Sequence, residues 1–207
     1  MRNRQSGFSL VELLVVIATI MVVAAIATPS VINGINGIRL RSAASEVAGI
    51  MQQCRQVAVR NNRYYTVKPA VVTGARAAYV DLNYNNAFDA GAPAPEPMVQ
   101  LPQSVSLVSA GAPNTANLFA SAFNAGFVPQ PATTQPSFNS RGLPCVGAAN
   151  PPPANSLCNI RDAGGNTVGF VYYMSQVRPF GAVGWAAVTV TPAGRIRVWT
   201  YSGSTWQ

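Results

Sequence analysis

Hydrophobic and polar residues are very unevenly distributed over the first sixty positions of the chain. The run from Phe8 to Thr28, FSLVELLVVIATIMVVAAIAT, contains one charged residue, Glu12, in twenty-one positions. As an α-helix rising about 1.5 Å per residue, this run is long enough to cross the roughly 30 Å hydrocarbon core of a bilayer. It is longer than the apolar core of a secretory signal and has no convincing A-x-A-like cleavage site before Pro29. The pattern therefore predicts a membrane-spanning helix over residues 8–28.

Beyond Pro29 the apolar residues adopt the spacing of an amphipathic helix. They recur at steps of three and four, at Val47, Ile50/Met51, Cys54 and Val57/Ala58. This spacing predicts a helix over residues 29–61 that continues the anchor and ends at Asn61-Asn62. Because proline cannot donate to the helical ladder, we expect a kink at Pro29, and two separate helices are the alternative.

After Asn62 the period becomes that of β-strands, and the chain is expected to form a β-rich domain over residues 62–207. The last two predicted strands are joined by the hairpin signal Pro192-Ala193-Gly194, whereas Pro69 is expected to end the first. Residues 91–153 hold twelve of the sixteen prolines and are predicted to be loop-rich. The predicted strands are Tyr64–Val67, Ala77–Leu82, Val105–Ser109, Phe119–Val128, Thr167–Met174, Trp185–Thr191 and Arg195–Tyr201. The expected fold class is α+β, a long N-terminal helix packed on antiparallel β-sheet.

The charge and composition of the chain limit the classes of partner and of chemical activity to be expected. The 207 residues carry a formal net charge of +8, and residues 97–207 contain five arginines against one acid, Asp162. A basic surface suits anionic partners such as nucleic acid, acidic lipids or acidic polysaccharide. The chain has no histidine, the usual general base beside a serine or cysteine nucleophile. We therefore expect no enzyme activity and no cofactor.

Three cysteines are present, and two of them lie close together in sequence. Cys145 and Cys158 flank a short loop, which predicts a disulfide in an oxidising compartment. Closing a loop of this size stabilises a fold by roughly 3 kcal/mol in the chain-entropy model. Cys54 falls on the apolar face of the predicted amphipathic helix, so we expect a buried thiol there. Neither the spacing nor the lack of histidine favours a metal site at the cysteines.

A weak calcium-binding candidate follows the second predicted strand. The oxygen-bearing side chains repeat the spacing of the first part of an EF-hand loop, at Asp81, Asn83, Asn85 and Asp89. Asn86 replaces the turn glycine, however, and Ala92 stands where a bidentate glutamate belongs. An Asx-rich turn between two strands is the favoured interpretation.

The final predicted strand has two chemically different faces. Ile196, Val198 and Thr200 share one face, and the other carries Arg195, Arg197, Trp199 and Tyr201. Two guanidinium groups followed by two aromatic rings is a pattern typical of nucleic-acid surfaces, where arginines contact phosphate and rings stack. The alternative is an ordinary solvated strand face.

The first residues of the apolar run carry a recognisable motif. Gly7-Phe8-Ser9-Leu10-Val11-Glu12-Leu13-Leu14-Val15-Val16 resembles the processing and assembly motif of type IV pilins and type II secretion pseudopilins. The resemblance implies that a prepilin peptidase removes a leader, residues 1–7, by cutting between Gly7 and Phe8. It also implies N-methylation of Phe8 and an ion pair between Glu12 and the Phe8 amino group of a neighbouring subunit. The alternative for Glu12 is a carboxylate that reaches the lipid headgroups.

The leader also predicts the orientation of the chain. Arg2 and Arg4 precede the apolar run, and basic residues beside a membrane span stay in the cytoplasm. We therefore expect a single-pass inner-membrane protein with its C-terminal domain in the periplasm. The pilin resemblance adds that the protein later enters a pilus or pseudopilus, with access to the cell surface.

Two further segments extend the resemblance. Phe138-Asn139-Ser140-Arg141-Gly142-Leu143-Pro144 and Thr191-Pro192-Ala193-Gly194-Arg195-Ile196-Arg197-Val198 look like the globular domain of the GspH/FimT family of minor pilins and pseudopilins. With the helix, the resemblance covers most of the chain apart from residues 91–135. It implies a pilin-like fold and a non-enzymatic subunit whose partners are other pilins, prepilin peptidase and the inner membrane.

The same resemblance supplies three functional hypotheses. In FimT-like members the G-R-x-R element is associated with DNA capture during natural transformation, and here it falls on Gly194, Arg195 and Arg197. The first hypothesis is a minor type IV pilin that binds DNA. The second is a GspH-like pseudopilin that acts in type II secretion without DNA, and the third, more remote, is a bitopic periplasmic enzyme or receptor.

Overall fold

A long helix leads into the rest of the molecule. The computed structural model describes residues 9–91, 95–108, 110–123, 135–146, 158–162 and 164–207. Helix α1 spans Leu10–Asn61 and ends where Asn62 adopts a left-handed conformation (φ 51°) whose N–H caps the carbonyls of Ala58 and Val59. The helix runs through Pro29 without interruption, so the alternative of two separate helices is wrong, while the kink stays a prediction.

The two halves of α1 differ in their surroundings. Its first half, taken as residues 10–28, is exposed throughout, whereas its second half, residues 29–61, buries a stripe of mainly apolar residues spaced by three and four. The stripe consists of Asn36, Leu40, Ala43, Ala44, Val47, Ala48, Ile50, Met51, Cys54 and Ala58. The predicted amphipathic helix is therefore confirmed, and α1 covers the globular domain only with its second half.

The described residues contain nine strands in two antiparallel sheets and a second helix. The first sheet has the order β3-β2-β1-β5-β6 and the second the order β4-β7-β8-β9. The strands are β1 Tyr65–Val72, β2 Ala75–Asp81, β3 Met98–Gln100, β4 Val105–Val108, β5 Ser137–Phe138, β6 Pro144–Cys145, β7 Phe170–Gln176, β8 Gly184–Val190 and β9 Ile196–Thr200. The short helix α2 spans Thr115–Phe123. An α+β fold of a long helix on antiparallel sheet, as in pilins, is confirmed.

Apolar side chains form two clusters on opposite faces of the second sheet. The main core lies between α1 and the inner faces of both sheets, and its largest fully buried members include Met51, Phe138 and Phe170. The smaller cluster lies on the outer face of the second sheet, beneath α2 and the C-terminal segment, around Leu118 and Trp206. Burial of apolar area at about 25 cal/mol per Å² is the main force that holds these layers together.

Pro69 does not end the first strand, contrary to the sequence prediction. It lies inside β1, opposite Ala78 of β2. The Val67 N–H donates to the carbonyl of Pro136, so odd-numbered residues of β1 direct their backbone N–H away from β2. Among the described residues, β5 pairs only with Tyr65 and Thr66, so Pro69 has no described strand on its N–H side and breaks no ladder bond there.

The predicted strand Phe119–Val128 is also wrong in its described part. Residues up to Phe123 belong to helix α2, and residues 124–128 lie outside the described residues. Leu118 of α2 is fully buried against the second sheet, while Phe119 and Phe123, four residues apart, place their rings 6.5 Å from each other. The apolar residues of this segment follow the helical rather than the strand period, and alanines favour the helix.

Candidate functional site

The first half of α1 has the properties of a membrane anchor. It is long and apolar enough to cross a bilayer, and none of its most apolar stretch is buried against the domain. Glu12 is exposed on this half, and within residues 9–91 it forms no ion pair. Gly7 and Phe8, the predicted processing residues, lie outside the described residues. Among the described residues, Glu12 is therefore a carboxylate without a counter-charge on an apolar surface, where a partner is normally needed.

Strand β8 runs alongside the second half of α1 and defines two ends of the domain. Just before β8, a Cβ on Gly181 would lie 3.8 Å from the Asn33 side chain, near the membrane anchor. Just after β8, the Gly194 carbonyl accepts a hydrogen bond from Arg55 Nη1 at 3.0 Å. Arg55 lies about 33 Å further along α1 than Asn33, at about 1.5 Å per residue. We call the Gly181 end proximal and the Gly194 end distal to the membrane.

At the distal end two turns and the helix are packed closely together. A Cβ on Gly194 would lie 2.9 Å from the Gly142 carbonyl oxygen, and one on Gly142 would lie 2.8 Å from Arg55 Nε. Both glycines have positive φ, 78° and 74°, which L-residues rarely adopt. The two segments that carry the GspH/FimT resemblance therefore meet at one point, and Arg55 links them to α1. Gly194 has a structural role there.

Three exposed arginines lie around this junction. Arg141 precedes Gly142 and Arg195 follows Gly194, and both side chains are exposed. Arg197 is also exposed and lies opposite Thr189 of β8, with its guanidinium carbon 5.4 Å from the centre of the Trp199 ring. We call Arg141, Arg195 and Arg197 the distal arginine cluster. Guanidinium groups bind phosphate in a bidentate manner, so this cluster has the chemistry of an anion-binding surface.

Trp199 of β9 and Tyr201, which follows β9, pack against the domain, whereas the sequence predicted rings on a surface that binds nucleic acid. Trp199 is partly buried, and its indole N–H donates to the Thr189 hydroxyl at 2.9 Å. The ring centroid of Tyr201 lies 5.3 Å from that of Trp206, within the smaller apolar cluster. Both rings thus help to attach the C-terminal segment to the outer face of the sheet. Residues 195–201 alternate as predicted, although β9 itself covers only Ile196–Thr200, and the two arginines are more exposed than the two rings.

The side chains of the calcium-binding candidate form ion pairs and hydrogen bonds with neighbouring protein groups. Asp81 forms a buried ion pair with Lys68, and Nζ of Lys68 also donates to the side chain of Asn86. Asp89 accepts hydrogen bonds from the side-chain amides of Asn83 and Asn85 at 2.5 and 2.7 Å. The two carboxylates are therefore directed to different protein donors. An Asx-rich turn, the favoured interpretation, describes this arrangement.

Glu96 completes the same turn and was missed by the sequence analysis. Its two oxygens accept hydrogen bonds from the backbone N–H groups of Leu82 and Asp89. Desolvation raises the pKa of the Glu96 carboxyl above its usual value, although both hydrogen bonds oppose the shift. Among the described residues, no group of three or more acidic, histidine or cysteine side chains could hold a metal ion.

The cysteines occupy the places that the sequence indicates. A disulfide joins Cys145 and Cys158, whose Cα atoms are 5.3 Å apart. It links β6 to the segment that leads into the second sheet. Cys54 is a free, fully buried thiol on α1, and desolvation raises its pKa. A thiol of that kind packs as a small apolar group and is not a nucleophile.

Comparison with known proteins supports the anchor motif. A family model described as the prokaryotic N-terminal methylation motif matches residues 2–28. The match supports a type IV pilin-like protein, and it covers the anchor without reaching the globular domain. Curated proteins and solved structures gave no match. The narrower GspH/FimT resemblance is not part of the match.

Sequence reasoning missed Arg55 as a member of the distal junction. Arg55 is not part of the apolar spacing that predicts the amphipathic helix, but it is half-buried and reaches a residue 139 positions away. The signal that could have found it is the pair of glycines, Gly142 and Gly194, because two turn glycines in one domain often mark a close backbone approach. Which helix side chain meets them depends on the packing of the whole domain.

Proposed function

We propose that this chain is a minor pilin or pseudopilin, a non-enzymatic subunit of a type IV pilus or a type II secretion pseudopilus. The observation that supports the proposal is the first half of α1, which is continuous with the domain helix, exposed and included in the matched methylation motif. An apolar helix of this length is stable only in a lipid bilayer or packed among similar helices. A subunit that is first anchored in the membrane and then assembled into a filament has the bilayer around this helix at first and the helices of other subunits around it later.

In this proposal, prepilin peptidase cuts between Gly7 and Phe8, the new terminus is methylated, and Glu12 pairs with the Phe8 amine of a neighbouring subunit. The ion pair would neutralise a carboxylate that otherwise costs roughly 2.5–3.5 kcal/mol at the bilayer centre, and less near the interface. The globular domain lies in the periplasm, because Arg2 and Arg4 keep the leader in the cytoplasm.

Mass spectrometry of the protein from its native host tests this assignment. We expect a chain that begins with N-methylated Phe8, and an intact leader in a strain without the peptidase. Glu12→Ala is expected to keep membrane insertion and cleavage while losing assembly into filaments, with Glu46→Ala as the control on the domain half of α1. An N-terminus at Met1 in the wild type, or normal assembly of Glu12→Ala, would contradict the proposal.

A second function, DNA binding, is proposed for the distal arginine cluster. Its support is the exposure of Arg141, Arg195 and Arg197 around one junction at the end of the domain farthest from the membrane anchor. That end is the part of an anchored subunit best placed to meet a polyanion. Phosphate contacts by arginine would supply most of the affinity, without sequence specificity. The GspH-like alternative, secretion without DNA, leaves these arginines without a ligand.

A gel-shift experiment separates these two alternatives. The fragment from Ser30 to Gln207 retains the buried stripe of α1, which begins at Asn36. We expect Arg195→Gln/Arg197→Gln to weaken binding roughly tenfold at moderate salt and to reduce the salt slope by about 2. The matched control, Arg39→Gln/Arg41→Gln, removes the same charge near the proximal end and should change binding little. Equal losses in both double variants would remove the assignment to the distal cluster.

A further inference from the structure

The loop between β7 and β8 exposes apolar side chains that the domain does not use. We call residues 177–183 the proximal loop. Val177 is 73% exposed, and Phe180 and Val183 are each 44% exposed. Three exposed apolar residues in a loop of seven form a small apolar surface without a partner in the described chain, which often marks a contact with a membrane or another protein.

The position of this loop is determined by its contact with α1. Gly181 lies beside Asn33, where a Cβ would be 3.8 Å from Nδ2. Asn33 comes five residues after Thr28, the end of the apolar run, so it lies about 7.5 Å further along the helix. Each headgroup layer of a bilayer is roughly 5–8 Å thick beyond the hydrocarbon core. If α1 spans the membrane up to Thr28, Asn33 and the proximal loop lie at headgroup depth.

The direction of the hairpin agrees with this position. Strand β8 starts next to the proximal loop and reaches the distal turn, where Gly194 contacts Arg55. Its seven residues cover about 23 Å at roughly 3.3 Å each, so the two turns are well separated. The β7–β8 turn is consequently the end of the second sheet that faces the membrane.

The charge of the region is suited to an acidic lipid surface. The loop itself carries Arg178, and the chain contains no acidic residue after Asp162. The Arg178 side chain is partly buried at the base of the loop, where a Cβ on Gly184 would be 2.7 Å from Nη2, and its Nε is buried without an acceptor among the described residues. Arg39 and Arg41, both exposed, follow Asn33 on α1. Apolar side chains beside cations are typical of segments that bind at the lipid interface.

We propose that the proximal loop inserts into the headgroup layer of the membrane that α1 spans, with Phe180 and Val183 below the phosphates and Arg178 paired with an anionic lipid. The loop would hold the domain against the membrane before assembly, and extraction of a subunit into a filament would have to break this contact. The proposal rests on the membrane anchoring of α1 put forward above, and its test keeps the two apart.

The test uses the full chain in nanodiscs that contain one protein each, with an environment-sensitive fluorophore on a single introduced cysteine. Cys54 is buried and Cys145 is paired with Cys158, so labelling without reductant selects the introduced thiol. Phe180→Cys is the test position, and Gln56→Cys, exposed near the distal end of α1, is the control. Val177→Cys serves as a second test position that leaves Phe180 intact.

In nanodiscs rich in phosphatidylglycerol, we expect emission from positions 180 and 177 to shift to the blue and to be quenched by spin-labelled lipid, while position 56 is not quenched. Adding Arg178→Gln should reduce the quenching, because one cation near an acidic surface shifts a partition equilibrium by about fivefold. Replacing the acidic lipid with phosphatidylcholine should give a similar reduction.

Equal quenching at positions 180 and 56 would overturn the proposal. So would a blue shift at position 180 without quenching by spin-labelled lipid, because it would place the fluorophore against the protein itself instead of in the lipid. Co-migration of the chain with the nanodiscs is measured in the same samples. If the chain does not enter the nanodiscs, the anchor itself fails, and that outcome is distinct from an anchored chain with a solvated loop.

Discussion

The two ends of β8 rest on the same helix, but they do so in different ways. At the distal end, Gly194 and Gly142 pack so closely that a Cβ on either would lie under 3.0 Å from a neighbouring atom. At the proximal end, a Cβ on Gly181 would have ordinary van der Waals contact with Asn33. Both Gly194 and Gly181 have positive φ, 78° and 86°. The two glycines therefore share the cost of a left-handed backbone conformation, whereas only Gly194 also carries the cost of close packing.

The surfaces at the two ends differ in chemistry as well. The distal end exposes arginines. The proximal end exposes the apolar side chains of Val177, Phe180 and Val183 beside the partly buried Arg178. A rigid junction suits a surface that must present charges in a defined arrangement, whereas a loosely packed loop can adjust to a lipid surface. The following predictions test how far this difference extends.

Gly194→Ala should have the largest effect on stability. A left-handed conformation costs an L-residue roughly 1–2 kcal/mol, and the added methyl would also press on the Gly142 carbonyl, so we expect a loss of about 3 kcal/mol. Urea unfolding of the Ser30 to Gln207 fragment measures the change. A loss no greater than that of Gly181→Ala would show that the distal junction is not tightly packed.

Arg55→Met should come next. The substitution keeps the apolar part of a half-buried side chain but removes the hydrogen bond to the Gly194 carbonyl, so we expect a loss of about 1–2 kcal/mol. The matched control is Arg60→Met, because Arg60 is exposed on the last turn of the same helix. If both variants unfold at the same urea concentration, Arg55 does not link the distal turns to α1.

Gly181→Ala should cost about 1 kcal/mol, from backbone conformation alone. Gly203→Ala is the matched control, since Gly203 has a φ of 99° and no heavy atom within 4 Å of the added Cβ. We expect equal shifts in the unfolding midpoint for the two variants. A clearly larger loss at Gly181 would mean that the proximal loop packs against α1 as firmly as the distal turn does.

The double variant Arg195→Gln/Arg197→Gln should have the smallest effect on folding. Both side chains are exposed, and surface substitutions of this kind usually change stability by less than about 0.5 kcal/mol. The same variant is expected to lose DNA affinity, so the two measurements together separate a binding role from a structural one. A loss of stability comparable with that of Arg55→Met would assign these arginines to the junction itself.

Much of the helix and of the second sheet could be predicted because the signals are local. The end of α1 at Asn61, the alternation of β9 and the hairpin at Gly194 all follow from residues within a few positions of one another. Two elements were wrong for a physical reason. Pro69 is tolerated because, within the described residues, β5 does not extend opposite it, and the apolar residues of α2 follow the helical period, which the sequence analysis took for that of a strand.

The sequence alone determined the anchor, the class of fold and the positions of the exposed arginines at the start of the last strand. These features depend on the length of an apolar run and on its period, which are properties of neighbouring residues. Only the tertiary structure decided that Gly142, Gly194 and Arg55 meet, that Trp199 and Tyr201 pack beneath the C-terminal segment, and that residues 177–183 lie beside Asn33. Apart from the packing of the two rings, those contacts join residues more than fifty positions apart. They depend on how α1 and both sheets bury their apolar faces together, which no local pattern specifies.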